Sequence, residues 1–269
     1  MKKLGLGILI TVTVLVIAGI TTAAITIPAA PQAKEKAEVA VEQSPAISGD
    51  WALTPPGLEK IEFIHWKKGY GKPPGKTPGA PSCYKFLTGS KIKWATTTNY
   101  VINPTKSDLP EDFVESAIFA SAETWDATTS KELFNDNYST STGLETAYGN
   151  PNYVNAISFG DRYLNPDIIA ATIVWYNPAT KAIVEFDITF ETNYNWGDCL
   201  GYEETYYSNQ VMDLQNIATH ELGHGVGLAD IYDTTCSAVT MYGYSDYGET
   251  QKRTLEQPDI TGLQKLYGI

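Results

Sequence analysis

An uncharged apolar run from Leu4 to Ile20 opens the chain, with Lys2 and Lys3 before it and the small residues Thr21 to Ala24 after it. The run has no amphipathic period, so residues 1–27 are expected to be a targeting segment. A cleaved secretory signal and an uncleaved signal anchor both fit, since the stretch extends through Ile27. From 28 to 50 the apolar positions give way to Ala, Pro, Glu, Lys and Gln. Such a segment buries too little apolar surface to offset chain entropy and is expected to be a flexible linker. Residues 51–82 hold one apolar patch, Leu58, Ile61, Phe63, Ile64 and Trp66, then the stretch GYGKPPGKTPGAP, whose Gly and Pro content makes it loop.

Beyond residue 82 the pattern becomes that of a folded domain. Ile92, Trp94 and Tyr100 to Ile102 predict a first strand ended by Asn103 and Pro104. Val114, Ala117, Ile118, Ser121 and Trp125 then recur at helical spacing, with Ser107 or Asp108 as the expected cap and Pro110 in the first turn. Residues 134–152 are rich in Asn, Ser, Thr and Gly and read mostly as loop. Three strands follow, Val154 to Phe159, Ile168 to Tyr176 and Ala182 to Phe190, separated by the turn residues of GDRYLNPD and NPATK. Leu214, Ile217, Ala218 and Leu222 mark the apolar face of a second helix capped by Asp213, and Ile260, Leu263 and Tyr267 a short final one.

Composition narrows the class. A length of 269 residues with 43% apolar content supports a sizeable core. The net charge of −12 argues against a nucleic-acid partner. Three cysteines, Cys83, Cys199 and Cys236, allow one disulfide with one thiol left over, and an oxidising compartment favours Cys236 bridged to Cys83 or to Cys199. The pairing stays open.

The chemistry concentrates in residues 220–230, HELGHGVGLAD. On a helix, His220 and His224 lie one turn apart on one face, where two imidazoles can hold a single zinc ion. Glu221 stands beside the first ligand, positioned to take a proton from a water at the metal. Gly223, Gly225 and Gly227 each cost roughly 1 kcal/mol relative to Ala in a helix interior, so a purely structural helix would hardly collect them. Gly227 is the expected turn residue, letting the chain reverse and bring the Asp230 carboxylate in as third ligand.

HExxHxxGxxD followed by Val239, Thr240, Met241 and Tyr242 resembles the metzincin zinc endopeptidases, and most closely the matrixin-like members. The commoner motif ends in His. Here the histidines are His65, His220 and His224, so Asp230 is the substitute. The resemblance implies an α+β catalytic domain over residues 83–269, with a twisted, mostly parallel sheet, an antiparallel edge strand, an active-site helix and a C-terminal helix. It implies Met241 as a hydrophobic floor beneath the metal. It also implies that the strand at Ile168 to Tyr176 is the sheet edge over the cleft, with the main chain of Ala170, Ala171 and Thr172 binding an extended peptide. Tyr242 to Tyr247 would wall the neighbouring pocket, with Tyr242 or Tyr244 either donating to the tetrahedral intermediate or simply packing.

Because the resemblance begins after residue 82, residues 51–82 are expected to be a short prosegment or an N-terminal extension. The residues around Cys83 lack the arginine and glycine of the matrixin cysteine switch, so a disulfide is the plainer expectation for it. His65 is expected to be a surface or packing residue. The histidines of a second, structural zinc site are missing, and Asp161, Asp167, Asp187 and Asp198 would suit calcium if they bound an ion at all. The expected protein is therefore a secreted or surface-tethered zinc endopeptidase. It would meet peptide or protein substrates outside the cell and touch membrane only through an uncleaved anchor. The competing classes are an inactive surface binding module and a zinc hydrolase of a non-peptide substrate. Substrate preference and oligomeric state are not legible.

Overall fold

The alternation in residues 182–191 builds the strand around which the sheet is laid. In the computed structural model, which describes residues 55–71, 82–163, 165–200 and 210–269, this strand is β6 (Ala182–Glu191). The targeting segment and the linker expected before residue 51 lie outside the described residues. The strands preceding β6 are β1 (Glu59–Lys67), β2 (Val101–Ile102), β3 (Ser139–Thr140), β4 (Ala156–Gly160) and β5 (Ile168–Asn177). Strands β7 (Asn195–Gly197), β8 (Val211–Asp213) and β9 (Tyr244–Ser245) follow it. Seven strands form one mixed sheet in the order β3-β2-β4-β6-β5-β1-β9, and β7 pairs with β8 separately.

Strand β6 runs parallel to β4 and antiparallel to β5, and β4, β2 and β3 are parallel to one another. The expected α+β arrangement is therefore present, with β5 as the antiparallel member. Strand β5 is not, however, an open edge. Strand β1 lies antiparallel along it, pairing Phe63 with Thr172, Ile64 with Ala171 and His65 with Ala170, and β9 runs parallel to β1 on the far side. Nine consecutive residues extended along a strand of matching length satisfy backbone groups that an edge would leave to solvent. The apolar patch in residues 51–82 is this strand.

Helices α1 (Glu111–Asp126), α2 (Leu214–Gly225) and α3 (Gln257–Tyr267) complete the domain. Helix α1 begins after Pro110 with no side-chain cap. Ser107, an expected cap, instead accepts from Leu109 N at 3.1 Å and donates to Pro104 O at 2.7 Å. The first predicted strand shrinks to Val101–Ile102, while Lys93 makes an isolated bridge with Ala182. Helices α1 and α2 pack closely. Trp125 is fully buried and its Nε1 donates to Thr219 O at 2.8 Å, fixing the rotation of α2 about its axis. Asp213 caps α2 as expected, accepting from Asn216 N at 2.8 Å, and Arg253 Nε holds that carboxylate at the same distance.

The bridge joins Cys83 to Cys236 with Cα atoms 5.4 Å apart, and Cys199 is free. This excludes Cys83 as a metal-bound switch and Cys199 as the partner. The bond closes a loop of 153 residues and ties the segment after α2 to the start of the domain. Cys236→Ser is expected to cost about 2–5 kcal/mol, measured as a lowered urea midpoint, with a steeper slope because the unfolded chain loses its cross-link.

Candidate metal centre

Helix α2 carries its chemistry on the face turned toward the sheet. His220 and His224 are both buried, their rings edge-on with centroids 4.8 Å apart. Gly227, at φ +106°, ends the helix in a conformation that favours glycine, and a Cβ there would lie 2.4 Å from Ile92 O. The chain reverses at this point. Asp230 returns so that its Oδ1 stands 3.2 Å from His220 Nε2 and 3.5 Å from His224 Nε2.

Hydrogen bonding fixes what these atoms offer. His220 Nδ1 donates to Thr240 O at 2.7 Å and His224 Nδ1 to Leu228 O at 2.9 Å. A carbonyl only accepts, so each neutral ring must turn the Nε2 lone pair toward Asp230 Oδ1. Lone pairs converge there from three sides. His220 Nε2 and Asp230 Oδ1 are buried without a hydrogen-bond partner despite their proximity, the signature of a cradle that wants a cation. The three ligand atoms lie within 4.8 Å of one another. His65, His220 and Glu221 form a second such group, but His65 Nδ1 and Glu221 Oε1 already bond each other. The orphaned atoms favour the first set.

Electrostatics set the two rings apart. Burial drives His220 down to about 3, so this ring stays neutral. Burial also opposes a charge on His224, yet the Asp230 carboxylate overrides it and raises this ring. Burial alone would push Asp230 up, but His224 and His220 hold it well below the usual carboxylate range. An ionised carboxylate oxygen therefore faces the Nε2 atoms of both rings.

Glu221 is fully buried beside this cradle, and burial lifts it to about 7. Its Oε2 accepts from Thr172 Oγ1 at 2.5 Å and its Oε1 from His65 Nδ1 at 2.8 Å. The His65 contact has the separation of an ion pair, but burial holds His65 well below its ordinary value, so it is a hydrogen bond from a neutral ring. His65 Nε2 lies 3.0 Å from Ser245 Oγ and 3.3 Å from Lys252 Nζ. Lys252 is itself buried, lowered to about 7 by desolvation, and donates to Tyr242 O.

The surrounding residues explain the rest of the motif. Met241 is completely buried, and a Cβ on Gly223 would come within 2.3 Å of its Sδ and 2.7 Å of Trp125, so only glycine admits this approach. Asp259 accepts from Thr240 N at 2.8 Å and Met241 N at 3.2 Å, pinning the methionine turn to α3. Tyr232 Oη donates to Asp230 Oδ2 at 2.9 Å and orients the carboxylate. Tyr242 and Tyr244 are both buried in a T-shaped pair, centroids 5.6 Å apart, and Tyr244 belongs to β9. Ala170, Ala171 and Thr172 line β5 as expected, but β1 occupies their edge. Asp161, Asp167, Asp187 and Asp198 join no cluster of three possible ligands among the described residues. Asp187 accepts from Ala156 N at 2.8 Å, and Asp198 pairs with Arg253 at 2.5 Å.

His65, Lys252, Asp259 and Tyr232 are neighbours of this cluster that sequence reasoning missed. Residue 65 stands two places after Phe63, itself two after Ile61, and this period of two is the signal that would have put it on the inward face of a strand.

An α+β domain whose second helix presents two imidazoles and, beyond a glycine reversal, a carboxylate brings three possible metal ligands into one buried cluster. The matrixin family pattern matches residues 93–268, and the chain belongs to that family. Human matrilysin is 36% identical over 84 residues, covering 30% of this chain and 27% of that protein. Matrix metalloproteinase-16 of Homo sapiens is 41% identical over 56 residues, 21% of this chain and 9% of that protein. The matched stretches thus span under a third of matrilysin and under a tenth of matrix metalloproteinase-16.

Proposed function

We propose that the protein is a secreted or surface-tethered zinc endopeptidase whose residues 51–82 act as a prosegment. The observation that carries this reading is the set of converging, unpartnered acceptor atoms of His220 and Asp230 beside a buried carboxylate whose proton affinity lies near neutrality. Two imidazoles and a carboxylate are a zinc donor set, and a zinc ion held there supplies Lewis acidity to a water and to a scissile carbonyl. Glu221 takes the proton of the attacking water and delivers it to the leaving nitrogen. Thr172 and, in the closed form, His65 hold its carboxylate in place. Tyr232 keeps Asp230 turned toward the imidazoles.

In the closed form, the backbone groups along β5 that would receive a peptide are engaged by β1, and His65 engages the general base. The chain as folded is therefore latent, and β1 must leave before substrate enters. The disulfide supports an oxidising, extracellular setting. Among the described residues no helix is long and apolar enough to cross a membrane.

The test is incubation of the zinc-loaded protein, intact and with Phe63→Asp and His65→Gly to open the edge, with a denatured protein mixture. Sequencing of new termini is expected to reveal internal cleavage by the opened form, abolished by chelator. A zinc-loaded opened form that generates no new termini sinks the proposal.

A further inference from the structure

The strand that closes the site also shows how an extended ligand is read there. Strand β1 adds to β5 antiparallel, by main-chain pairing that any extended peptide can reproduce. Side chains at alternate positions then point at α2. Phe63 and His65 are buried on that face, Phe63 stacked on His224 with centroids 4.0 Å apart and planes at 9°. His65 enters a recess beside Glu221 whose far wall is polar. With Nδ1 donating to Glu221, its Nε2 is the acceptor, and two donors converge on that atom, Ser245 Oγ at 3.0 Å and Lys252 Nζ at 3.3 Å. Lys252 is fully buried in a short 3-10 turn, its backbone N held by Asn216 Oδ1 at 2.7 Å.

We propose that Lys252 is a specificity-determining residue, so that the subsite filled by His65 takes a substrate side chain bearing a neutral hydrogen-bond acceptor, an imidazole or a carboxamide, in preference to an aliphatic one. An aliphatic occupant would leave Lys252 Nζ and the Ser245 hydroxyl facing hydrocarbon, and a site built around hydrogen bonds rejects ligands that lack them more strongly than an apolar site rejects a hydroxyl. A carboxylate there would answer Lys252 but would also face Glu221 across the same recess, whereas a neutral acceptor satisfies the donors without that repulsion. The proposal shares with the endopeptidase reading the premise that the β5 edge receives an extended peptide. It does not depend on turnover.

Labelled peptides EKIEFIHWK, with the histidine kept or replaced by Gln or Leu, are titrated by fluorescence anisotropy against the opened full chain carrying Phe63→Asp and His65→Gly. The His and Gln peptides are expected to bind at least tenfold more tightly than the Leu peptide, and adding Lys252→Met should shift the ratio at least tenfold toward Leu. A Leu peptide that binds equally well, a ratio untouched by Lys252→Met, or failure of every peptide to bind overturns the proposal. If the opened chain does not fold, amide exchange in the closed chain decides. Exchange across Glu59–Lys67 should be at least tenfold faster in His65→Leu than in His65→Gln, with the difference lost on Lys252→Met, and equal exchange in the two single variants overturns it. Peptides that bind with the expected preference but are never cut, with zinc bound, would sink the endopeptidase reading and leave the subsite standing.

Discussion

Replacing Glu221 by alanine is expected to leave the zinc content unchanged and to lower peptide hydrolysis about 10²–10⁴-fold, the usual contribution of a positioned general base. The geometry separates the two functions. The orphaned acceptor atoms belong to His220 and Asp230, while both carboxylate oxygens of Glu221 are engaged by Thr172 and His65. Removing Glu221 therefore takes away the proton carrier and leaves the cradle. The comparison belongs in the opened background, where β1 does not mask the loss, with metal content and kcat/KM measured on the same preparation. Glu221→Gln, which keeps the side-chain volume and a hydrogen-bond acceptor, controls for the polar partners the alanine leaves unpaired. Activity within a few fold of the parent would remove Glu221 from the mechanism.

Truncating Phe63 and His65 to alanine in the intact chain is expected to raise hydrolysis of a denatured protein by about 100-fold. Phe63 is buried and stacked on His224, and His65 ties β1 to Glu221, Ser245 and Lys252. Loss of a buried aromatic side chain costs roughly 3 kcal/mol or more, and each 1.4 kcal/mol is about tenfold in the population with the edge free. Because activity scales with that population, the gain appears in kcat/KM with zinc content unchanged. An equal or lower rate, with Tm of the domain unaltered, would show that β1 is a permanent part of the working enzyme.

Much of the centre follows from local rules. Residues four apart on a helix share a face, a glycine at positive φ turns the chain, and an aspartate before a helix accepts its free N–H groups. His220, His224, Gly227, Asp230 and Asp213 obey these rules where the structure places them. The long strands β5 and β6 were likewise legible from their composition. Short ones were not: Val101–Ile102 and Ser139–Thr140 are two residues each, held by their neighbours rather than by any pattern of their own. The apolar patch Leu58, Ile61, Phe63, Ile64 and Trp66 alternates only in part, and the strand over residues 59–67 becomes plain from its pairing with β5.

The sequence by itself determined the histidine-bearing helix, its reversal, the types of the candidate ligands and the candidate base, because these depend on spacings of a few residues and on side-chain chemistry. Only the tertiary structure decided which cysteine meets Cys236, what covers the β5 edge, and that His65 reaches Glu221 across 156 residues and Lys252 across 187. Contacts between such distant positions are set by how the sheet and helices dock around a shared core, and no local periodicity encodes that docking.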